Sequence, residues 1–588
     1  MTSQASNRLS FRVEWDLVTV AAVLLVALQA VVRLVVTLPS YFWQDDFIHL
    51  EAARREGLSW EFLLRDYNDH LEIGINATYW LLSTVADRSF VPAALLICAL
   101  QALAGVLFWR LLRAVFGAGP LILAPLTLYL FTPLALVTST WLAAGLQAVS
   151  YQIALFTTML ALLRLHATSR RRWAVLSVVA YAVGMLFWEK AVLILPTAVA
   201  LLVVVVWRDA PVRERVARFA QRWRLWTVHA AVMVGYVGVY LAVTDGSERG
   251  EVAAAPYLRS ALTMLAQVFV PGVIGGPWHT TGAENTLYPE STPLLVLACA
   301  LVLAVVVAAS FVVSGRAAVA PWFLAALYLA GDIALMLWGR ADYLTLVDRD
   351  PRYLADAVPV FALCATAAFS PPDPRRRATD HPAARSAATT ATALLLSSCL
   401  LTTFLLAPVL QRSYAHNYVD GLIAEFERHP GTSIVNEAAP ILVAALDQRS
   451  LLAGVGYDAP FDQSGTGMQM FDSLAQLREV SLVDTTVEET GPEPDCGWPV
   501  ARRPVLIGEL PESSLRSYVL QLGYVTGVPA RLVVEVDGLR QAVDVQPGIG
   551  LASYVVTSRS GPIVAWTRRT TAGVCVSDMA AGRPWPRG

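Results

Sequence analysis

The sequence predicts a polytopic α-helical membrane protein with about eleven transmembrane helices, followed by a C-terminal region that passes from mixed α/β to a jelly-roll-like β-sandwich. Three observations carry this expectation. Apolar residues make up 56 % of the 588 and charged residues 15 %, where a soluble protein carries roughly 25 % charge. Mean hydropathy is +0.53, and the apolar residues fall in long runs of spanning length. After Pro408 the apolar density drops, and short β-rich runs separated by Gly, Pro and Asp turns take over.

Hydropathy places spans at about 17–38, 91–109, 120–140, 145–165, 173–188, 190–207, 225–243, 292–313, 319–338, 354–370 and 389–409. Alternate connections hold most of the arginine: Arg8 and Arg12; Arg110 and Arg113; Arg164 with Arg170–Arg172; Arg208 to Arg224; Arg316; and Arg375–Arg377. Lysine and arginine mark the cytoplasmic side. The N-terminus is therefore expected in the cytoplasm, and the acid-rich loops and C-terminal region outside it. No cleavable signal is expected, since the first apolar run is long and lacks a small-residue cleavage site. Net charge is −2 and Lys190 is the only lysine. Net charge says little because the charges are sorted by segment, and the predominance of arginine is no evidence of nucleic-acid binding, so no nucleic-acid partner is expected.

The membrane domain is read as 1–410, with a long, acid-rich outer loop at 40–90 as the place for chemistry. A second long connection, Thr244–Ser291, contains the apolar Tyr257–Gly276. This stretch holds Arg259, Pro271, Gly272, Gly275 and Gly276, so it is read as an interfacial or re-entrant piece. Residues 411–503 are expected to mix α and β, with a helix at Tyr418–Arg428 and short strands at Thr432–Val435 and Leu451–Val455. Residues 504–588 are expected to form the β-sandwich, a fold common among sugar-binding modules. Cys98, Cys299, Cys364 and Cys399 fall in spans, as small apolar packing. Cys496 and Cys575 are the pair expected to form a disulfide in an oxidising compartment.

Chemistry is expected where spans meet water. Tyr41-Phe42-Trp43-Gln44-Asp45-Asp46 puts an aromatic belt and two carboxylates directly after the first span. Adjacent residues point in different directions. One carboxylate can face a cavity as general base while the other orients it or caps the helix that follows. Asp45 is slightly favoured as the base, because Asp46 lies nearer that helix. The rest of the loop reads as a segment lying along the bilayer surface. His70 could relay a proton or bind a sugar hydroxyl, or equally be a satisfied structural histidine, and Asp69 and Glu72 beside it are expected to be solvated. Trp188-Glu189-Lys190 sits between two apolar runs with almost no loop. Such a charged pair should face the protein interior or a cavity, and it is either a self-neutralising ion pair or has a phosphate as partner of Lys190. Arg352, in Asp348-Arg349-Asp350-Pro351-Arg352-Tyr353, occupies a first helical turn where anions are favoured; with Tyr353 it is otherwise an interfacial anchor. Arg33 is read as snorkelling.

These motifs together resemble the GT-C superfamily of membrane-embedded glycosyltransferases. The carrying residues are Asp45-Asp46 after the first span and Asn68-Asp69-His70-Leu71. Phe187-Trp188-Glu189-Lys190 resembles a Lys-Glu segment of the family with its charges in reversed order. Pro351-Arg352-Tyr353-Leu354 with Pro359 is similar to the start of a late span in protein O-mannosyltransferase and aminoarabinose-transferase relatives. The tail resembles the carbohydrate-binding domains of actinobacterial members, among them cell-wall arabinosyltransferases. The resemblance implies inverting transfer of a sugar from a polyprenyl-phosphate donor to a cell-envelope glycan, glycolipid or protein acceptor outside the membrane. Asp45 or Asp46 would be the base. Arg352, with Lys190 and Tyr353, would hold the lipid phosphate, and Glu189 and Asp69 would support the site. No cofactor is expected to be required, although the acidic loop could host a divalent cation. Two other classes compete. A flippase of lipid-linked sugars would place its acids within the spans, and an envelope scaffold would have no use for convergence of Asp45, Lys190 and Arg352.

Overall fold

The computed structural model describes residues 16–86, 88–246, 253–280, 291–370, 382–511, 517–557, 560–568 and 573–587. Arg8, Arg12 and Arg375–Arg377, which helped to set the expected orientation, lie outside these residues. The chain divides into two units, Met1–Ser413 and Tyr414–Gly588.

The first unit is helical. Its opening elements are α1 (Leu17–Thr37), α2 (Asp45–Glu56), α3 (Trp60–Leu63), a hairpin of β1 (Asp66–Tyr67) and β2 (His70–Leu71), and α4 (Ile73–Val85). There follow α5 (Val91–Phe116), α6 (Leu123–Phe131), α7 (Val137–Thr140), α8 (Leu142–Thr168), α9 (Arg171–Phe187) and α10 (Ile194–Leu201). Next come α11 (Val212–Ala220), α12 (Trp223–Val243), α13 (Ala254–Thr263), α14 (Val270–Gly272), α15 (Pro293–Ser314) and α16 (Val319–Trp338). The unit closes with α17 (Leu344–Val347), α18 (Ala357–Ala368) and α19 (Pro382–Leu406). Each expected span coincides with a helix. The stretches 120–135 and 357–368 are shorter than a full crossing, and the first is broken at Thr132-Pro133, where proline cannot continue the ladder.

The longest described helix of this unit, α8, is also the most enclosed of those long enough to span. Of its apolar window 72 % is buried, against 11 % for α12, so α8 is the post around which the others pack. A Cβ on Gly145 would overlap Thr138 O and Ile97 Cδ1. Glycine there lets α7 fold back against the start of α8, with Trp141 as the extended corner between them (φ −118°, ψ 110°).

Two expectations change within this unit, and a third stretch gains detail. The loop after α1 does not lie flat on a surface: Asp46 through Ala53 are all buried, because the helix carries apolar residues on every side. Arg33 does not snorkel. It is buried and donates to Leu130 O (3.4 Å) and Thr132 O (3.3 Å), carbonyls freed at the end of α6. The stretch 257–276 is helical as far as Gly272, exposed at its start and buried from Val268 onward.

The second unit takes in most of α20 (Ser413–Arg428), then α21 (Gln448–Gly454) and the strands β3 (Gly465–Thr466), β4 (Gln469–Phe471), β5 (Leu477–Thr490), β6 (Trp498–Val500), β7 (Val505–Leu510), β8 (Ser517–Thr526), β9 (Ala530–Val536), β10 (Leu539–Val545), β11 (Gly548–Thr557), β12 (Gly561–Arg568) and β13 (Val574–Pro586). One sheet runs β10-β9-β12-β7 and the other β3-β11-β8-β13-β5-β4, with β6 also on β13. Leu532, Val534, Val536 and Ile563 of the first sheet share a core with Leu520, Leu522, Val556 and Val576 of the second. This is the expected sandwich, and alternation of inward residues accounts for it. A boundary at 503/504 does not survive, because β5 and β6 pair with the final strand. Leu451–Val455 is not a strand. Asp447 caps α21 by accepting from Ser450 N (2.9 Å), and the cap commits the segment to helix. Of Thr432–Val435, only Ile434 makes bridges. Cys496 and Cys575 are joined by a disulfide, and the other four cysteines are free and buried.

Candidate active site

The acidic pair is seated by a tight turn. Asp46 N–H donates to Trp43 O (3.0 Å), and Gln44 between them has φ 49° and ψ −113°, a conformation usually left to glycine. The turn sends the two carboxylates to different places. Asp46 is fully buried. Its Oδ2 accepts from Trp43 N (3.0 Å), and its Oδ1 accepts from Tyr79 OH (2.5 Å) and from Ala143 N (3.0 Å) in the first turn of α8. It therefore caps the central post from a distant loop. Burial pushes its pKa up to about 7, against the pull of these donors. Asp45 is half-buried, and its Oδ1 accepts from Tyr67 OH (2.6 Å).

Asp46 binds a proton on folding, since its carboxyl ordinarily titrates near 3.8. Stability from this group is complete below that value and is lost as pH rises toward about 7. Thermal melts of Asp46→Asn between pH 4 and 8 should decline less steeply than wild type. Parallel declines would mean that burial does not hold this proton.

Tyr67 is held by the β1–β2 hairpin. Asn68 (φ 52°) and Asp69 (φ 60°) are its two turn residues, and both have the positive φ that a two-residue type I′ turn requires. The Asn-Asp of the loop motif is thus turn chemistry. Asp69 is buried rather than solvated, because its Oδ1 accepts from Gly246 N (2.8 Å). Glu72 is buried too. It accepts from Gln147 Nε2 and lies 3.6 Å from His49 Nε2, and burial pushes it up to about 7.

His70 is not left open as a relay. Its Nδ1 lies 2.9 Å from Glu189 Oε1, and its Nε2 meets the Arg340 guanidinium, which also donates to Asn68 O (3.1 Å). Burial opposes the imidazolium, but Glu189 more than offsets it and the pKa lies above the usual value. Glu189 thus supports the hairpin through His70 and is not paired with Lys190.

Lys190 finds its partners inside the chain, and the phosphate expected for it is displaced by two carboxylates. Its Nζ pairs with Asp332 and with Asp356 Oδ1 (2.9 Å), and donates to Tyr353 O (3.2 Å). Tyr328 OH adds a bond to Asp356 Oδ2 (3.2 Å). Two buried acids around one cation leave it no capacity for a third anion. Its effect on the site passes through the backbone of Tyr353.

Arg352 is half-buried beside Tyr353. Its guanidinium stacks over Trp141 (4.1 Å) and Tyr353 (4.6 Å). Nη2 donates to Tyr353 OH (2.7 Å), and Nε lies 3.0 Å from Asp350 Oδ2. Asp350 Oδ1 also accepts from Arg352 N (3.0 Å), so the turn's N-terminus is already capped. Burial works against the charge of Arg352, but Tyr353, Asp350 and Asp45 together raise its pKa. Asp45 is thus within electrostatic reach of this guanidinium. Trp141 packs edge-on against Trp43 (4.5 Å between centroids). Of the three residues whose convergence mattered, Asp45 and Arg352 are in electrostatic reach of one another, and Lys190 meets this region through Tyr353 O.

Sequence reasoning missed Arg412. It is buried, has a left-handed backbone (φ 56°) and stacks over Trp43 (3.8 Å). The available signal was an arginine directly after the last span, on the side expected to be poor in arginine. Asp66, Asp69 and Asp245 bring carboxylate oxygens within 4.8 Å of one another, but Asp66 and Asp69 already accept from Asp245 N and Gly246 N.

The fold and these loops define a polytopic α-helical membrane protein with a β-rich C-terminal unit. No family model and no curated protein matches the chain. Among solved structures it is similar to ArnT from Cupriavidus metallidurans bound to undecaprenyl phosphate, with 14 % identity, 75 % of this chain and 85 % of that one covered, and a TM-score of 0.42. The apo state of ArnT gives 15 % identity, the same coverage and a TM-score of 0.31.

Proposed function

We propose that the chain is an inverting glycosyltransferase moving a sugar from a polyprenyl-phosphate donor to an acceptor hydroxyl of a cell-envelope glycan, glycolipid or protein outside the cytoplasm. One observation carries the reading: the half-buried Asp45 carboxylate lies within electrostatic range of Arg352, a guanidinium held on Trp141 next to the first span. A base and an anion holder in electrostatic reach of one another fit a displacement between them. Asp45 takes the acceptor proton as the acceptor oxygen bonds to the anomeric carbon. The bond from that carbon to the phosphate oxygen breaks, and its electron pair leaves on the phosphate, whose new charge Arg352 meets. Single displacement inverts the anomeric centre. Tyr67 orients Asp45, and Asp46 fixes the turn beneath it. The Cys496–Cys575 disulfide favours an oxidising compartment for the second unit, which we read as its glycan-binding part.

The test is transfer of label from radiolabelled polyprenyl-phosphate sugars to a cell-envelope acceptor by protein in lipid nanodiscs. Loss of transfer with both Asp45→Asn and Arg352→Ala supports the reading. Lipid moving between leaflets, untouched by either change and without transfer, replaces it with a flippase. Because guanidinium supplies the charge at the phosphate, the reading requires no divalent cation. Turnover should survive excess EDTA, and loss restored by added magnesium or manganese would reject that part.

A further inference from the structure

Arg412 combines features that a purely structural arginine lacks. It is 1 % exposed, and Nε, Nη1 and Nη2 all lie out of solvent with no hydrogen-bond partner among the described residues. A buried cation with no hydrogen bond is expensive and is normally paired or hydrogen-bonded. The nearest charges are Asp46, Asp350 and Arg352, at electrostatic rather than bonding range. Asp46 is committed to Trp43, Tyr79 and Ala143, and Asp350 to Arg352. The position is also built. Ser40 Oγ bridges Thr140 O and Leu410 O (3.2 Å each), tying the helical turn Ala407–Leu410 before Arg412 to the corner that bears Trp141. Arg412 and Arg352 therefore lie on Trp43 and Trp141, two rings packed edge to face.

We propose that Arg412 and Arg352 form one anion site that takes a phosphate monoester, with Arg412 supplying the charge matched to the second negative charge of that group. That the monoester is the lipid-phosphate product rests on the transferase reading above; the anion site does not. Arg352 is already paired with Asp350, which suits a phosphodiester carrying one charge better than a doubly charged group. The uncompensated Arg412 favours the monoester left when the sugar departs. An interaction stronger after bond breaking than before it lowers the barrier rather than only tightening the donor.

Binding without turnover tests the site. The full chain in nanodiscs is titrated with farnesyl phosphate, its methyl phosphodiester and inorganic phosphate, using the thermal shift. Wild type should bind the monoester at least about tenfold more tightly than the diester. Arg412→Gln should lose about tenfold or more of the monoester affinity and little of the diester affinity, and Arg412→Lys should fall between, since it keeps charge without the planar fork. In turnover, Arg412→Gln should lower kcat with little change in donor KM. If Arg412→Gln melts like wild type and still prefers the monoester, the proposal is overturned. If Arg412→Gln does not fold, Arg412→Lys decides: unchanged monoester preference together with unchanged kcat overturns it as well. Inorganic phosphate binding as tightly as farnesyl phosphate, and only with Arg412, supports the anion site but rejects a lipid ligand. Monoester binding lost in Arg412→Gln, in a chain that transfers no sugar, supports the site while the transferase reading fails.

Discussion

Asp45→Asn is expected to lower kcat by about a hundred- to ten-thousandfold, the range for losing a positioned general base, while the protein folds and binds donor normally. The reason is the division of labour in the turn at Gln44. Asp45 is half-buried and oriented by one hydroxyl, whereas every acceptor position that fixes Asp46 is filled by Trp43, Tyr79 or Ala143. The Asn variant keeps the size and the bond to Tyr67 but cannot take the acceptor proton. Steady-state kinetics with a labelled donor, beside melting curves, separates the two acids. Asp45→Asn should change rate alone, and Asp46→Asn should change stability first. A fully active Asp45→Asn beside a folded but inactive Asp46→Asn would exchange their roles.

Lys190→Met is expected to cost about 3–5 kcal/mol of stability, the usual penalty for removing one member of a buried ion cluster. Asp332 and Asp356 would then face each other among Tyr328 and Tyr151 with no cation between them. The loss should also reach the site, because Lys190 holds Tyr353 O beside Arg352. Adding Asp332→Asn to Lys190→Met should recover part of the stability, since one unpaired charge is removed. Denaturation in detergent of both single variants and the double variant measures this coupling. A Lys190→Met protein that melts like wild type but no longer binds phosphate would instead make Lys190 a direct phosphate ligand.

How much was legible follows from the range of each interaction. The spans could be read because a bilayer imposes a run length on the sequence itself. The sandwich strands could be read because alternation is local. The placement of Asp45-Asp46 and of Arg352 could likewise be read from their position at span ends. The fate of Lys190 could not, because Asp356 is 166 residues away, and no local pattern shows which acid a cation will meet. Strand β5 was missed for another reason. Leu477–Thr490 is charged and largely exposed, so the usual alternation is absent, and its pairing with the last strand specifies it. The hairpin at 66–71 was legible in principle, since Asn-Asp suits a type I′ turn, but it was passed over because the loop was read as a surface segment.

The bond from Asp46 to Ala143 spans 97 residues, and this has a consequence for biosynthesis. The ribosome completes the first span and the acidic pair long before α8 exists. In that interval the carboxylate must stay hydrated or rely on Tyr79 alone, and the turn at Gln44 has no Ala143 to stabilise it. The site is therefore assembled late, after the central post has left the translocon. A nascent chain truncated before Leu142 should expose Tyr41–Glu56 to proteases, whereas one extended past Thr168 should protect it.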